Sequence, residues 1–218
     1  MNTARTVVAI DGPAASGKSS VARMLARRLG FVYVNTGAMY RAITWCVVQN
    51  GIGSREVAKI ISLINKLDVR CGMDGNASTI TIDGTDPTPN LNDATVIQNV
   101  SDVSSIHEVR YMLVKKQREY AKTHDVVMEG RDIGSVVFPE TPYKFYIDAS
   151  LEVRARRRAR QGQQDEIGAR DRTDSSRKTS PLVIAEDAHV IDSSNLTIDG
   201  VVGEIIGRLK LKGLPISD

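Results

Sequence analysis

"GPAASGKS", Gly12 to Ser19, is the stretch that decides the fold. It fits G-x-x-x-x-G-K-[ST], and its flanks suit the motif. Before it, Val7 to Asp11 is a short β-branched run that stops at Gly12-Pro13 and reads as a buried strand. After it, Lys18 to Leu29 carries apolar residues at 21, 24, 25 and 29, which is helical spacing, and Gly30 ends the run. The chemistry needs this layout. Glycines let backbone N–H groups curl around phosphate oxygens without Cβ clashes. A helix starting near Lys18 turns its positive end to the same anion. Lys18 can reach the β and γ phosphates of a nucleoside triphosphate, and Ser19 offers a hydroxyl to Mg²⁺. The expected triphosphate-binding set, read as ATP-binding, is Gly12, Pro13, Ala14, Ala15, Ser16, Gly17, Lys18, Ser19 and Ser20. The loop alone leaves switch, motor and kinase open.

Further along, Phe31 to Val34 reads as a second strand, and Asn35 or Thr36 can cap a helix over Met39 to Val48. Ser54 can cap another, Val57 to Leu67. The pattern then alternates in "LDVRCGMDGNASTITIDG", with Asp74-Gly75 as a turn signal, so a small antiparallel hairpin is expected there. Helical spacing returns from Asn92 to about Lys122. Val126 to Glu129, Lys144 to Asp148 and His189 to Asp192 read as strands, and Leu151 to Gln161 and Gly200 to Leu211 as helices. Gly162 to Thr179 has almost no apolar residues and is expected to be an exposed, mobile segment. Strands alternating with helices give an α/β fold: a five-stranded parallel sheet flanked by helices, interrupted by a small antiparallel β insert packed at one side.

Bulk properties bound the function. The chain has 218 residues, 41% hydrophobic and 25% charged, an ordinary globular balance. A net charge of +3 favours an anionic small substrate and is too small to imply nucleic-acid binding without a patch. Cys46 and Cys71 are the two cysteines, expected as thiols in a reducing cytosol. No apolar run approaches the roughly 18 residues of a membrane span, and no leader precedes the first strand, so a cytoplasmic location is expected. His107, His124 and His189 lack metal-ligand spacing. Trp45 is expected in the core rather than on a base.

Two other stretches suggest what the triphosphate is for. "VVMEGRDIGS", Val126 to Ser135, ends a buried run in Glu129, Arg131 and Asp132. "VNTGAMYR", Val34 to Arg41, puts Arg41 one turn into a helix, where its fork can take a phosphate. With the phosphate loop, these stretches resemble the bacterial cytidylate kinase family, of the nucleoside monophosphate kinase group. The resemblance continues through "NTGAMYRAI", "NVSDVSSIHEVR", "KKQRE", "EGRDIGSVVFP", "FYIDAS" and "RDRTDSSRKTSPL", so it covers most of the chain in order.

The resemblance implies a P-loop kinase fold in one domain. Its core would be 1–50, 123–161 and 180–218, the acceptor-binding region with the insert 51–122, and a short lid 162–179. It implies transfer of a phosphoryl group from ATP to CMP or dCMP, with Mg²⁺ assisting. Carried over, Ser101, Arg110 and Asp132 would face cytosine, and Thr36, Arg41, Arg131 and Arg177 would hold the acceptor phosphate. Arg170 and Asp174 would touch the sugar and its surroundings, and Arg157 and Arg158 would close with the lid on the transferring group. Lys18, Arg131, Arg177, Arg157 and Arg158 are thus the expected catalytic cations. Three departures stand out: Glu129 and Asn35 where many relatives have Asp, and eight residues between Gln161 and Arg170, fewer than in well-known relatives. A shortened lid is expected to exclude water less well and to raise wasteful ATP hydrolysis.

The residue chemistry agrees with the resemblance. Cytosine shows a donor-only amine beside acceptor N3 and O2, which suit a carboxylate and a guanidinium respectively. Asp132 and Arg110 are that pair, and Ser101 can serve either side. Glu129 is placed to reach Mg²⁺ through a water. "RARRRARQ", Arg154 to Gln161, sets Arg154, Arg157 and Arg158 on one helix face and Arg156 and Arg160 on another, without interleaved aromatics for base stacking. A lid-hinge anion clamp is therefore favoured over an RNA-binding strip. The expected partners are ATP and CMP or dCMP, with no nucleic acid and no membrane, and the chain is expected to be a monomer. Other small P-loop kinases, for UMP, AMP or shikimate, remain the nearest alternative. A GTPase switch would need N-K-x-D after a late core strand, whereas "NKLD", Asn65 to Asp68, lies just before the insert.

Overall fold

All five runs read as parallel strands are strands in the computed structural model, which describes residues 5–160, 167–177 and 180–216. In chain order the strands are β1 (Val7–Asp11), β2 (Val32–Asn35), β3 (Val69–Asp74), β4 (Ala77–Ile82), β5 (Val126–Gly130), β6 (Tyr143–Asp148) and β7 (His189–Asp192). The helices are α1 (Lys18–Leu29), α2 (Thr36–Gln49), α3 (Val57–Ile64), α4 (Ala94–Ser105), α5 (His107–Thr123), α6 (Leu151–Arg160), α7 (Ile167–Ser175) and α8 (Ile198–Leu211).

The sheet order is β3-β4-β2-β5-β1-β6-β7. The five strands β2, β5, β1, β6 and β7 run parallel, and β1 lies in full register between β5 and β6. The sheet adds two strands to the expected five, and one of them, β4, also pairs parallel with β2. The insert lies at one side, as part of the sheet: its hairpin joins the β2 edge through Tyr33 and Ala77, so seven strands form one mixed sheet among the described residues.

Side chains alternate along each central strand, which builds two cores at once. Val7, Ala9, Val126, Met128, Val32 and Val34 face α2 to α5. Val8, Ile10, Val127, Tyr33, Phe145 and Ile147 face α1 and α8. The amphipathic α1 buries Val21, Ala22, Leu25 and Ala26 on the second layer, and Gly30, at φ +67, closes it. Losing a fully enclosed side chain such as Leu25 to alanine costs about 2–5 kcal/mol.

Three local expectations are refined or changed. The helical spacing from Asn92 to about Lys122 is divided between two helices, broken at Ile106, which is extended at φ −72 and ψ 125. Ile106 is buried, so its packing fixes the break that no proline or glycine announces. Ser54 does not cap α3; its hydroxyl donates to Asp102 at 2.9 Å, and α3 ends at Ile64. The polar stretch expected to be wholly exposed carries α7, whose Asp174 is buried. The rest of the expected lid, 162–166 and 178–179, lies outside the described residues.

All five parallel strands end at one edge of the sheet, and their last residues are Asp11, Asn35, Gly130 after Glu129, Asp148 and Asp192. The crevice beyond the carboxyl ends of such a sheet is where α/β folds place their ligands.

Candidate active site

The phosphate loop leaves β1 through Gly12, whose φ of +151 and closeness to β6 admit no side chain. A Cβ there would stand 2.1 Å from the Ile147 carbonyl oxygen. Gly17, at φ +95, turns the chain into α1. Four loop carbonyls are held by charged side chains. Gly12 accepts from Arg131 Nη1 at 3.0 Å, Pro13 from Lys18 Nζ at 3.0 Å, Ala14 from Arg154 Nη1 at 3.3 Å, and Ser16 from Arg157 Nη1 at 3.0 Å. Ser193 Oγ also donates to Ser16 at 2.8 Å. With its acceptors tied up in this way, the loop is left to offer donors to a ligand, which is what an anion cradle requires.

Beside the loop opens a cleft of about 880 Å³ that runs from Ser193, Leu196 and Thr197 past Lys18 and Ser19 to Ser101, Arg110 and Asp132. It brings together Ala14 to Ser20, Thr36, Arg41, Ser101, Arg110, Glu129, Arg131, Asp132, Arg157, Arg158, Asp174 and Arg177. Gly12 and Pro13 shape the loop from behind through their carbonyls. Arg170 falls within α7, and its side chain lies outside the described residues.

At the Arg110 end of the cleft, β5 and the break between α4 and α5 do the placing. Arg110, near the start of α5, pairs with Asp132 just beyond β5, and both side chains are almost fully enclosed. Arg110 Nη1 also donates to the Ser104 carbonyl at 3.2 Å, and its guanidinium lies 5.2 Å from the centre of the Tyr40 ring, a cation–π contact. Burial pushes the Tyr40 phenol up to about 12, so it stays protonated. Arg131 Nε donates to Asp174 at 2.8 Å, and Arg177 donates to the same carboxylate and, at 2.9 Å, to Ser104 Oγ.

Near the end of β5, Glu129 is buried, and Tyr33 donates to its Oε1 at 3.2 Å. Thr36 Oγ1 donates to the Glu129 carbonyl at 2.8 Å, and Asn35 Oδ1 caps α2 by accepting from Ala38 N at 3.0 Å. Asn35, not Thr36, is therefore the cap, and an amide oxygen performs it without a charge.

Cations crowd this cleft. Burial lowers the Arg41 guanidinium; Glu129 opposes that, while Arg131 and Arg158 add to it. Burial lowers Arg177 too, against Asp174, and Arg110 and Arg131 add to the lowering. For Arg131 burial is outweighed by Asp174 together with Glu129 and Asp171, and the net direction is upward. Nε of Arg41, Nε of Arg177 and Oγ of Ser16 are buried with no hydrogen-bond partner among the described residues. Enclosed donors without acceptors, beside mutually repelling cations, suit the binding of an anion.

Arg157 faces the loop carbonyl and the Ser193 segment, where Nη2 donates to the Ser193 carbonyl at 2.7 Å, rather than standing over the cleft centre. Arg158 lines the cleft. On the other face of α6, Arg156 pairs with exposed Glu152 at 2.8 Å. The sequence reading gave no role to Ser104, Ser193, Tyr33 or Asp11, and put Arg154 in an anion clamp, whereas it holds the Ala14 carbonyl and pairs with Asp171. Of these Asp11 carried a signal, a carboxylate ending a fully buried strand. Among the described residues no group of three or more His, Cys, Asp or Glu side chains could hold a metal ion, and no helix is long and apolar enough to cross a membrane. Both cysteines are free thiols.

A family model described as cytidylate kinase matches residues 8–211 of the chain. The cytidylate kinase of Caldanaerobacter subterraneus subsp. tengcongensis is 46% identical over 214 residues, covering 93% of this chain and 94% of its own. That of Caldicellulosiruptor saccharolyticus is 41% identical over 210 residues, 91% of this chain and 93% of its own. A solved shikimate kinase from Acinetobacter baumannii covers 98% of this chain and 97% of its own at 14% identity, with a TM-score of 0.49.

Proposed function

The chain belongs to the cytidylate kinase family, and we propose that its cleft divides that family's reaction among the side chains as follows. The reaction transfers the γ-phosphoryl group of ATP to CMP or dCMP, leaving ADP and CDP or dCDP. The observation that carries the assignment of the acceptor end is the enclosed Arg110–Asp132 pair beside a cluster of arginines.

The phosphate loop and Lys18 hold the triphosphate of ATP. Magnesium, when bound, neutralises charge between the β and γ phosphates; Ser19 Oγ would hold it directly and Glu129 through a water, both hard oxygen donors of the kind Mg²⁺ takes. Arg41, Arg131 and Arg177 take the phosphate of the acceptor, with Thr36 beside them. Arg158 adds positive charge where the phosphoryl group crosses. Asp132 accepts from the cytosine amine, Arg110 donates toward N3 and O2, and Ser101 lines the same end. Asp174 and Arg170 stand by the sugar. Phosphoryl transfer needs alignment and charge neutralisation more than covalent help, so no general base is required. The division is read for a monomer.

Cytosine is favoured over uracil because uracil would set an oxygen against the Asp132 carboxylate. An unmatched enclosed charge costs about 1–3 kcal/mol or more, tens-fold in selectivity. The experiment is a coupled ADP-release assay across CMP, dCMP, UMP, AMP and GMP. CMP and dCMP should exceed UMP by tens-fold in kcat/KM; equal turnover of CMP and UMP would refute the base-reading assignment.

A further inference from the structure

Asp11 ends β1 immediately before the phosphate loop, yet its carboxylate serves another segment. Oδ1 accepts from Ile133 N and Oδ2 from Gly134 N, each at 2.8 Å. These are the first two residues of a π-turn, Ile133–Val137, and Asp132, which precedes them, makes no side-chain cap of its own. The first N–H groups of a helical turn have no partner within it. Asp11 supplies both from a neighbouring strand, in a two-pronged, charge-assisted contact. The approach is close: a Cβ on Gly134 would stand 3.4 Å from Asp11 Oδ2 and 3.1 Å from two side-chain carbons of Lys144. The next residue of the chain, Gly12, accepts from Arg131 through its carbonyl. Two consecutive residues leading into the loop therefore grip both sides of Asp132.

We propose that Asp11 is a positioning residue for acceptor selection, which caps the 133–137 turn from β1 and so fixes Asp132 against Arg110. The inference rests on Asp132 and Arg110 reading the base. It makes the strand that carries the ATP loop also the support of the base-reading carboxylate. A misdirection of Asp132 by a fraction of an ångström would then appear in acceptor choice, while the loop residues that hold ATP stay in place.

The test is Asp11→Asn, assayed at pH 8 with Mg²⁺ and ATP in excess. Asparagine keeps the volume and one accepting oxygen but turns an N–H toward one of the two backbone donors. KM for CMP is expected to rise about tenfold, and the CMP-to-UMP ratio of kcat/KM to fall by about the same factor, with KM for ATP changed by less than about twofold. A lower kcat with the ratio unchanged would overturn the proposal, because Asp11 would then act through the loop and Lys18. Wild-type protein showing no preference for CMP would instead remove the base-reading assignment beneath it, so that ratio is measured first. Should the variant fail to fold, amide hydrogen exchange of the wild type decides. CMP should slow exchange at Ile133 and Gly134 and UMP should not; exchange indifferent to CMP would refute the proposal.

Discussion

Asp174 holds Arg131 through a 2.8 Å bond from Nε, and its second oxygen takes Arg177, so a single carboxylate on α7 organises two guanidinium groups that belong to different parts of the chain. All three side chains are largely enclosed. Without the carboxylate, Arg131 and Arg177 would lose their direct ion pair, with Arg110 nearby, and keep only the Gly12 carbonyl, Ser104 Oγ and more distant carboxylates to offset them. Removing one partner of a buried pair costs about 3 kcal/mol, or roughly 10 °C in Tm for a chain of this size. Asp174→Asn should therefore melt earlier when unliganded. It should also gain more from CMP than the wild type does, because the nucleotide's phosphate replaces the missing charge. Thermal melts with and without CMP check this; an equal CMP-induced shift in both proteins would mean that the phosphate binds elsewhere.

Asp132→Asn tests base selection directly. The amide keeps an oxygen for the cytosine amine and presents an N–H to the uracil oxygen. Turnover of CMP should drop severalfold and that of UMP should rise, so that their kcat/KM ratio contracts by about tenfold or more, following the 1–3 kcal/mol of an unmatched enclosed group. Arg110 loses its charged partner in the same variant, so a fall in Tm is expected alongside. If UMP gains nothing relative to CMP, Asp132 does not face the base.

Much of this architecture is written in local sequence, and the exceptions share a cause. The parallel strands are legible because burial on both faces demands unbroken β-branched runs such as Val7 to Ile10. The phosphate loop is legible because its glycines answer to backbone geometry. The continuation of the sheet into the insert is not, since it rests on the pairing of Tyr33 with Ala77, which no periodicity encodes. The break at Ile106 is hidden for the same reason: tertiary packing, not a helix breaker, sets it. Asp174 sits in a stretch whose composition reads as solvated, and becomes buried because two arginines from elsewhere neutralise it. Arg110, Asp132 and Arg131 were named by the resemblance; the contacts that hold them, Ser104 to Arg110, Asp174 to Arg131 and Asp11 to the turn after Asp132, are tertiary and no local pattern announces them.

Glycines separate close approach from mere permissiveness. A Cβ on Gly130 would stand 2.6 Å from Thr36 Oγ1 and 2.7 Å from Ile133 Cδ1, at the junction of both halves of the cleft. Gly130→Ala should therefore cost about 1–3 kcal/mol by overpacking and lower kcat/KM for CMP. Gly203 and Gly207 lie in the middle of α8, and a Cβ on either would meet nothing within 4 Å. Each change to alanine there should add about 0.5–1 kcal/mol, by helix propensity alone, and leave turnover unchanged. Urea unfolding of the three variants measures the contrast, and a neutral Gly130→Ala would show that the junction can relax.

Asp11 gives the fold a pH dependence whose sign can be worked out. Burial raises its carboxyl to about 7, against the opposing pull of the Gly134 and Ile133 amides and of Lys18, while Asp132 adds to the rise. In the unfolded chain it titrates near the ordinary aspartate value of about 3.9. Between those values the folded state holds a proton that the unfolded state has lost, so this group favours folding most at the acid end and loses that contribution as pH rises through about 7. Asparagine cannot titrate, so in Asp11→Asn the contribution is constant. The stability of the wild type minus that of Asp11→Asn should therefore fall from pH 5 to about pH 7 and level off by pH 8. Urea midpoints of the two proteins at pH 5, 6, 7 and 8 measure it. A difference that stays flat would mean that the two backbone N–H groups overcome burial and hold Asp11 ionised throughout this window, and one that rises with pH would contradict a raised Asp11 carboxyl.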